Sequence, residues 1–189
     1  DFAVGADWKS ISAGIRDLVD RTAYLKGYFQ AWAEKNPREA SDEVLKRGLS
    51  ERSSLLPETI AVWAEQEPAA AEAWLVKLRS GEARDVALEA LYRTWASIDP
   101  ANAVDRGLRL PEEASRFRAL AAAIREWSAS DPSGVGAWAA RLDDPNLKDF
   151  AMMAAADELA VRSPKAALQW ASGHLAADPQ ADPEIVNLV

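Results

Sequence analysis

The sequence predicts an all-α fold, a right-handed open solenoid of about five helical hairpins preceded by one leading helix. Three observations carry that expectation. A tryptophan stands five residues before a proline in Trp32-Ala33…Pro37, Trp63-Ala64…Pro68, Trp95-Ala96…Pro100 and Trp127-Ser128…Pro132, and Leu159-Ala160…Pro164 is a fifth copy. The prolines are 31, 32, 32 and 32 residues apart, a spacing that chance does not produce. Finally, alanine supplies 39 of the 189 residues and glycine only 9, which favours helix over strand.

A leading helix is expected from about Asp7 to Asp20, with Ile11, Ile15, Leu18 and Val19 on its buried face. The first helix of each hairpin, A, follows from two more columns in register with the tryptophan. Seven residues before it stand Leu25, Leu56, Leu88, Leu120 and Met152, and three before it Phe29, Ile60, Tyr92, Ile124 and Ala156. Those offsets lie on one face of a helix of 3.6-residue period. The proline then opens the second helix, B, where its missing N–H costs nothing. Asn36, Asp99, Asp131 and Ser163 precede it as expected N-caps, with Glu67 the weaker exception. Three residues beyond the proline come Ala40, Ala71, Ala103, Val135 and Ala167; ten beyond come Arg47, Leu78, Leu110, Leu142 and His174. The A helices are predicted near 22–35, 55–66, 84–98, 114–130 and 146–162, and the B helices near 37–48, 68–79, 100–109, 132–142 and 164–175. A link of two or three residues makes each pair an antiparallel hairpin. One such hairpin cannot bury both of its apolar faces, so neighbours must stack. The organisation expected is one domain over 1–189: a leading helix to residue 20, five repeats over 21–175, and the start of a truncated or capping segment over 176–189, where Asp182-Pro183 repeats the helix-start signal.

With these columns the chain resembles the tetratricopeptide-like hairpin solenoids over about residues 21–175, and more narrowly the bacterial repeats built on Trp-Ala…Asp-Pro…Ala…Trp. It departs from true tetratricopeptide repeats in its 31–32-residue period and in the proline that opens helix B instead of closing it. The resemblance implies a stacked superhelix with a concave surface that holds another protein. It implies no catalytic residue.

Composition narrows function by exclusion. Thirty acidic residues against 22 basic give a net charge of −8, unsuited to a general nucleic-acid surface. No apolar run approaches the roughly 18 residues of a membrane span. The chain has no cysteine and one histidine, so thiolate and multi-histidine metal sites are out, and no phosphate-cradling or nucleophile-elbow motif occurs. No cofactor is expected. The pairs Glu112-Glu113, Asp143-Asp144 and Asp157-Glu158 raise a hydrolase working through groove carboxylates, but helix-end electrostatics account for the first two and a solvated face for the third. His174 fits the C-terminal dipole of the last B helix.

The tryptophan column reads as hairpin core. Six residues after each proline a second column is mixed, with Glu43, Trp74, Arg106, Trp138 and Trp170, and reads either as edge packing between repeats or as a binding surface. On the second reading Trp74, Arg106, Trp138 and Trp170 contact a partner; a glycan-binding module stacking sugars on Trp138 and Trp170 is the alternative. Eight arginines between Arg79 and Arg125 suit an acidic peptide or a set of surface pairs. The function expected is a non-enzymatic protein-interaction scaffold, with self-association through the terminal repeats open. The chain opens on Asp1 without a signal-peptide pattern, which predicts a processed chain or a piece of a larger bacterial protein, exported or cytoplasmic alike.

Overall fold

The structure, a computed structural model, describes residues 8–177, and every regular element among them is an α-helix. The helices are α1 Trp8–Gly14, α2 Leu18–Ala33, α3 Pro37–Leu45, α4 Leu49–Gln66, α5 Pro68–Leu75, α6 Glu82–Ile98, α7 Pro100–Gly107, α8 Glu113–Ser130, α9 Pro132–Ala139, α10 Pro145–Arg162 and α11 Pro164–Ala177. Each predicted A and B helix is present; Asp7, Asp182-Pro183 and the rest of 178–189 lie outside the described residues.

The proline explains how A gives way to B. A residue before proline is sterically pushed out of the helical region. Glu67, Asp99, Asp131 and Ser163 are each the single residue between two helices, with φ between −160° and −141° and ψ between 68° and 99°. Asn36 has the same conformation at the end of a three-residue link. The N–H of each donates back to the carbonyl at the tryptophan position (Trp32, Trp63, Trp95, Trp127, Leu159) over 2.7–2.9 Å. The carbonyl of each accepts from the N–H of the small residue three beyond the proline, Ala40, Ala71, Ala103, Val135 or Ala167. One residue thus closes helix A and opens helix B. Asp99 and Asp131 also cap through their side chains, onto the N–H groups of Asn102 (3.2 Å) and Gly134 (2.9 Å). Asn36, expected to cap, makes no such bond, so the backbone geometry alone suffices there.

Two compact units divide the chain, one up to Ala122 and one from Ala123 on, with the division inside α8. In the first, α4 packs against both α2 and α6, while α3 packs on α2 and α4, α5 on α4 and α6, and α7 on α6. In the second, α10 packs on α9 and α11. The columns at −7 and −3 from the tryptophan and at +3 from the proline are buried at every position. Trp63, Trp95 and Trp127 are buried as well; Trp32 and Leu159 are half-buried.

Two boundaries differ from expectation. The leading helix stops at Gly14 instead of running to Asp20, because Asp17 caps a new helix through bonds from the N–H groups of Val19 (2.8 Å) and Asp20 (3.1 Å). Leu18 and Val19 therefore sit in the first turn of α2, 69% and 76% exposed, and Ile11 is exposed too. Trp8 anchors α1 in their stead. It stacks on Tyr28 (5.6 Å between centroids), meets Phe29 edge-on (5.4 Å) and lies under the Arg47 guanidinium (4.6 Å). Helix α4 starts at Leu49, six residues earlier than expected, and carries Pro57 in its interior. The proline removes one N–H from the ladder. The extra turns are held by Arg47–Glu51 (2.9 Å), by Arg21–Glu51 (3.1 Å) and by burial of Leu55 and Leu56.

Trp95 is buried and Arg93, two residues earlier on the same helix, is exposed. In urea denaturation Trp95→Ala should cost about 3–5 kcal/mol, as for other buried large aromatics. Arg93→Ala should stay within about 0.5 kcal/mol of the parent. Equal losses would mean that the faces of α6 are wrongly assigned.

Candidate functional site

The mixed second column turns out to be a device that reaches back one repeat. Trp74 on α5 donates its indole N–H to Asp42 on α3 at 3.1 Å. Arg106 on α7 gives both its Nε (3.0 Å) and Nη2 (2.6 Å) to one carboxylate oxygen of Glu72 on α5. Trp170 on α11 lies over Gly136 on α9, where an added Cβ would come within 2.6 Å of the indole ring, so glycine alone fits beneath it. Within a hairpin the same column meets the first one: Trp63–Trp74 and Trp127–Trp138 pack at 5.8 and 6.0 Å, with interplanar angles of 54° and 52°. Of the four predicted contact residues, Trp138 is only 6% exposed and offers a partner almost no surface, a correction to its expected role. Trp74, Arg106 and Trp170 are half-buried and already engaged in packing.

Glu72 is a buried carboxylate, and the Arg106 fork neutralises it where Trp occupies the equivalent place in other repeats. Beside the pair, the Tyr92 hydroxyl is buried close to the Glu72 carboxylate. Burial first, and then the Glu72 charge, push its pKa well above the ordinary phenol range. Gly107 leaves the room this needs, since a Cβ there would stand 2.9 Å from Leu120 and 3.4 Å from the Tyr92 ring. In the first repeat Glu43 fills the column, and the bond from Lys46 (2.7 Å) holds its carboxyl below the usual range, against the opposing effect of burial.

A third column escaped the sequence reading although it keeps the same period: Arg21, Arg52, Arg84 and Arg116, eleven residues before each tryptophan. Three of them close the ends of B helices, whose last carbonyls lack helical partners. Arg52 donates to the Arg47 carbonyl (3.0 Å), Arg84 to that of Leu75 (3.3 Å) and Arg116 to that of Leu110 (3.0 Å). Arg84 is buried and pairs also with Glu112 (3.0 Å), which accepts from Ser115 (2.8 Å). The acidic pairs thus meet helix-end partners: Glu112 as described, Asp144 as the cap of α10 on the N–H groups of Asn146 and Leu147, and Glu158 paired with Arg162 on the same helix at 2.9 Å. The His174 side chain lies outside the described residues.

One concave feature stands within the second unit. A cleft of about 450 Å³ is lined by Arg125 and Ser128 on α8 and, on α10, by Phe150, Met153, Asp157 and Val161 among others. In the first unit the matching strip between A helices is bridged, with Gln30 and Lys26 on α2 both bonded to Glu58 on α4 (3.2 and 2.8 Å). The residues of the second unit that correspond to Gln30 and Glu58 are Arg125 and Ala154. Arg125 lies over the Phe150 ring at 5.9 Å, and the strip between α8 and α10 is open. The column two residues after the tryptophan carried a signal for this, reading Glu34, Glu65, Ser97, Ala129 and then Val161.

Arg106→Ala strands the buried Glu72 carboxylate and should destabilise by about 1–3 kcal/mol, whereas Glu72→Ala/Arg106→Ala should regain part of that loss because no buried charge is left unpaired. A double variant less stable than Arg106→Ala alone would contradict the pairing. Glu112 supplies a pH signature. Its carboxyl is held below the ordinary range by the Ser115 hydroxyl and then by Arg84. The stability it contributes is present above the unfolded pKa and is lost as pH falls through the lower folded value. Urea midpoints measured from pH 7 down to about pH 2 should therefore fall less steeply for Glu112→Gln than for the parent.

Comparison with known protein families, curated proteins and solved structures finds no match for this chain.

Proposed function

We propose that the chain is a non-enzymatic scaffold, a right-handed solenoid of stacked hairpins that holds a protein or peptide partner on the surface of its A helices. The observation that carries this reading is the division of labour within each repeat. Inward columns are uniform and buried, from Leu25 to Met152 and from Ala40 to Ala167. Outward positions at one register vary along the chain, as with half-buried Gln30 and Ala61 and exposed Arg93, Arg125 and Asp157 two residues before the tryptophan position. A repeat array that keeps its packing constant while varying its surface is suited to recognition. The reach-back of Trp74, Arg106 and Trp170 onto the preceding B helix supports stacking in register. It also removes those residues from the list of primary contacts and shifts the proposed partner surface to the A helices. No helix among the described residues is long and apolar enough to cross a membrane.

The sugar-stacking alternative loses its support with Trp138 buried and Trp170 laid over Gly136. The hydrolase alternative loses its own with Glu112, Asp144 and Glu158 engaged at helix ends and in a local pair.

A photo-crosslinking amino acid placed at Arg93, on the A-helix surface, and separately at Asp105, on a B helix, tests the reading in cells that make the full-length protein. The expected result is a discrete protein adduct from position 93 and none from position 105. No adduct from position 93, or the same adduct from both, would overturn it.

A further inference from the structure

We propose that the cleft between the second half of α8 and α10 is a docking site for a short amphipathic segment of a partner protein, one that sets a lysine or arginine between two apolar side chains. The proposal rests on the scaffold reading and gives it a location and a chemistry. Three observations converge on this cleft.

The first is its shape: about 450 Å³ of concave space, where the equivalent strip between α2 and α4 is bridged by Lys26, Gln30 and Glu58. The second is the pattern on α10. Met153, Asp157 and Val161 follow one another at four-residue intervals, so they form one stripe, an exposed carboxylate between two apolar side chains exposed by 43% and 83%. Asp157 makes no ion pair among the described residues, and the neighbouring Glu158 holds only a half-exposed local pair with Arg162, worth about 0.5 kcal/mol at most.

The third is charge. Asp157 is an exposed carboxylate in the cleft, and among the described residues from Ala123 on seven are acidic and five basic. A cationic side chain is drawn to that carboxylate. Arg125 gives the site a direction. It sits beside Phe150, two turns along α10 from Asp157 and hence about 10 Å away. The segment that fits therefore carries its base at the Asp157 end, apolar side chains on Met153 and Val161, and an acidic or neutral group towards Arg125.

The test is a titration of the full isotope-labelled chain, followed by amide chemical shifts. The probe is a blocked twelve-residue peptide, Glu-Ala-Ala-Leu-Ala-Ala-Ala-Lys-Ala-Ala-Ala-Leu. Shifts at Ser128, Met153, Asp157 and Val161 are expected at sub-millimolar to millimolar peptide. Asp157→Lys should weaken binding about fivefold, the effect of an exposed charge pair, and so should exchange of the peptide's lysine for glutamate. Asp105→Lys, which changes the net charge equally but far from the cleft in sequence, should leave binding unchanged. Both substituted residues are exposed, so neither variant threatens the fold. No shift at 1 mM peptide, or equal binding of the glutamate peptide, would overturn the proposal. Shifts confined to the A helices of the first unit would overturn this cleft while leaving the scaffold reading in place.

Discussion

A single steric exclusion organises this protein. The residue before each proline is pushed out of the helical region, so it takes an extended conformation and separates two helices in one step. At Glu67, Asp99, Asp131 and Ser163 that step is only one residue long, and its N–H and carbonyl are both used, one by the end of helix A and one by the start of helix B. No loop atoms are left over to be solvated or ordered. The tryptophan that closes helix A and the alanine or valine near the start of helix B are consequently held at a fixed offset, a hydrogen bond on either side of the same residue. Packing of large on small, and of Trp63 on Trp74 or Trp127 on Trp138, follows from that offset.

Once hairpins are specified locally, the remaining problem is to join them, and the chain solves it with side chains that look irregular in sequence. Glu43, Trp74, Arg106 and Trp170 share a position but not a chemistry. What they share is reach. Glu43 meets Lys9 and Lys46, Trp74 meets Asp42, Arg106 meets Glu72, and Trp170 covers Gly136. Each partner is complementary in kind: an acceptor for an indole N–H, a carboxylate for a guanidinium, a bare backbone for an aromatic ring. The arginines at the start of the A helices finish the joints by bonding carbonyls at the end of the preceding B helix (Leu75) or in the link just after it (Arg47, Leu110). Acidic and basic residues that composition alone assigns to the surface are in good part structural.

The hairpins were legible because their cause is local: a tryptophan, a proline and a 3.6-residue face lie within one window of sequence. The joints were less so. Trp138 and Arg106 stand in one column, yet one is buried and the other half-exposed, because burial there depends on which residue the neighbouring helix presents. Leu18 and Val19 misled for a related reason. They continue an apolar pattern, but the Asp17 cap starts a new helix and turns both to solvent. The cleft of the second unit was the hardest to see: Ala154 stands where Glu58 bridges the strip between α2 and α4, but Ala90 and Ala122 stand at the same register, so that position does not single it out. An absent partner leaves a weak mark on a sequence. Only the drift of one column towards Val161 recorded it.

The most direct test of the proline-enforced hairpin is a distance across one link. The chain has no cysteine, so spin labels at Val86→Cys on α6 and Asp105→Cys on α7 report on a single pair. A hairpin reversing at Asp99 places the two backbones about 13–14 Å apart, from about 10 Å of axial offset and 8–10 Å between packed helices. A helix that ran straight through Pro100 would separate them by about 28 Å. The short distance is the one predicted, and a distance near the longer value would contradict the account.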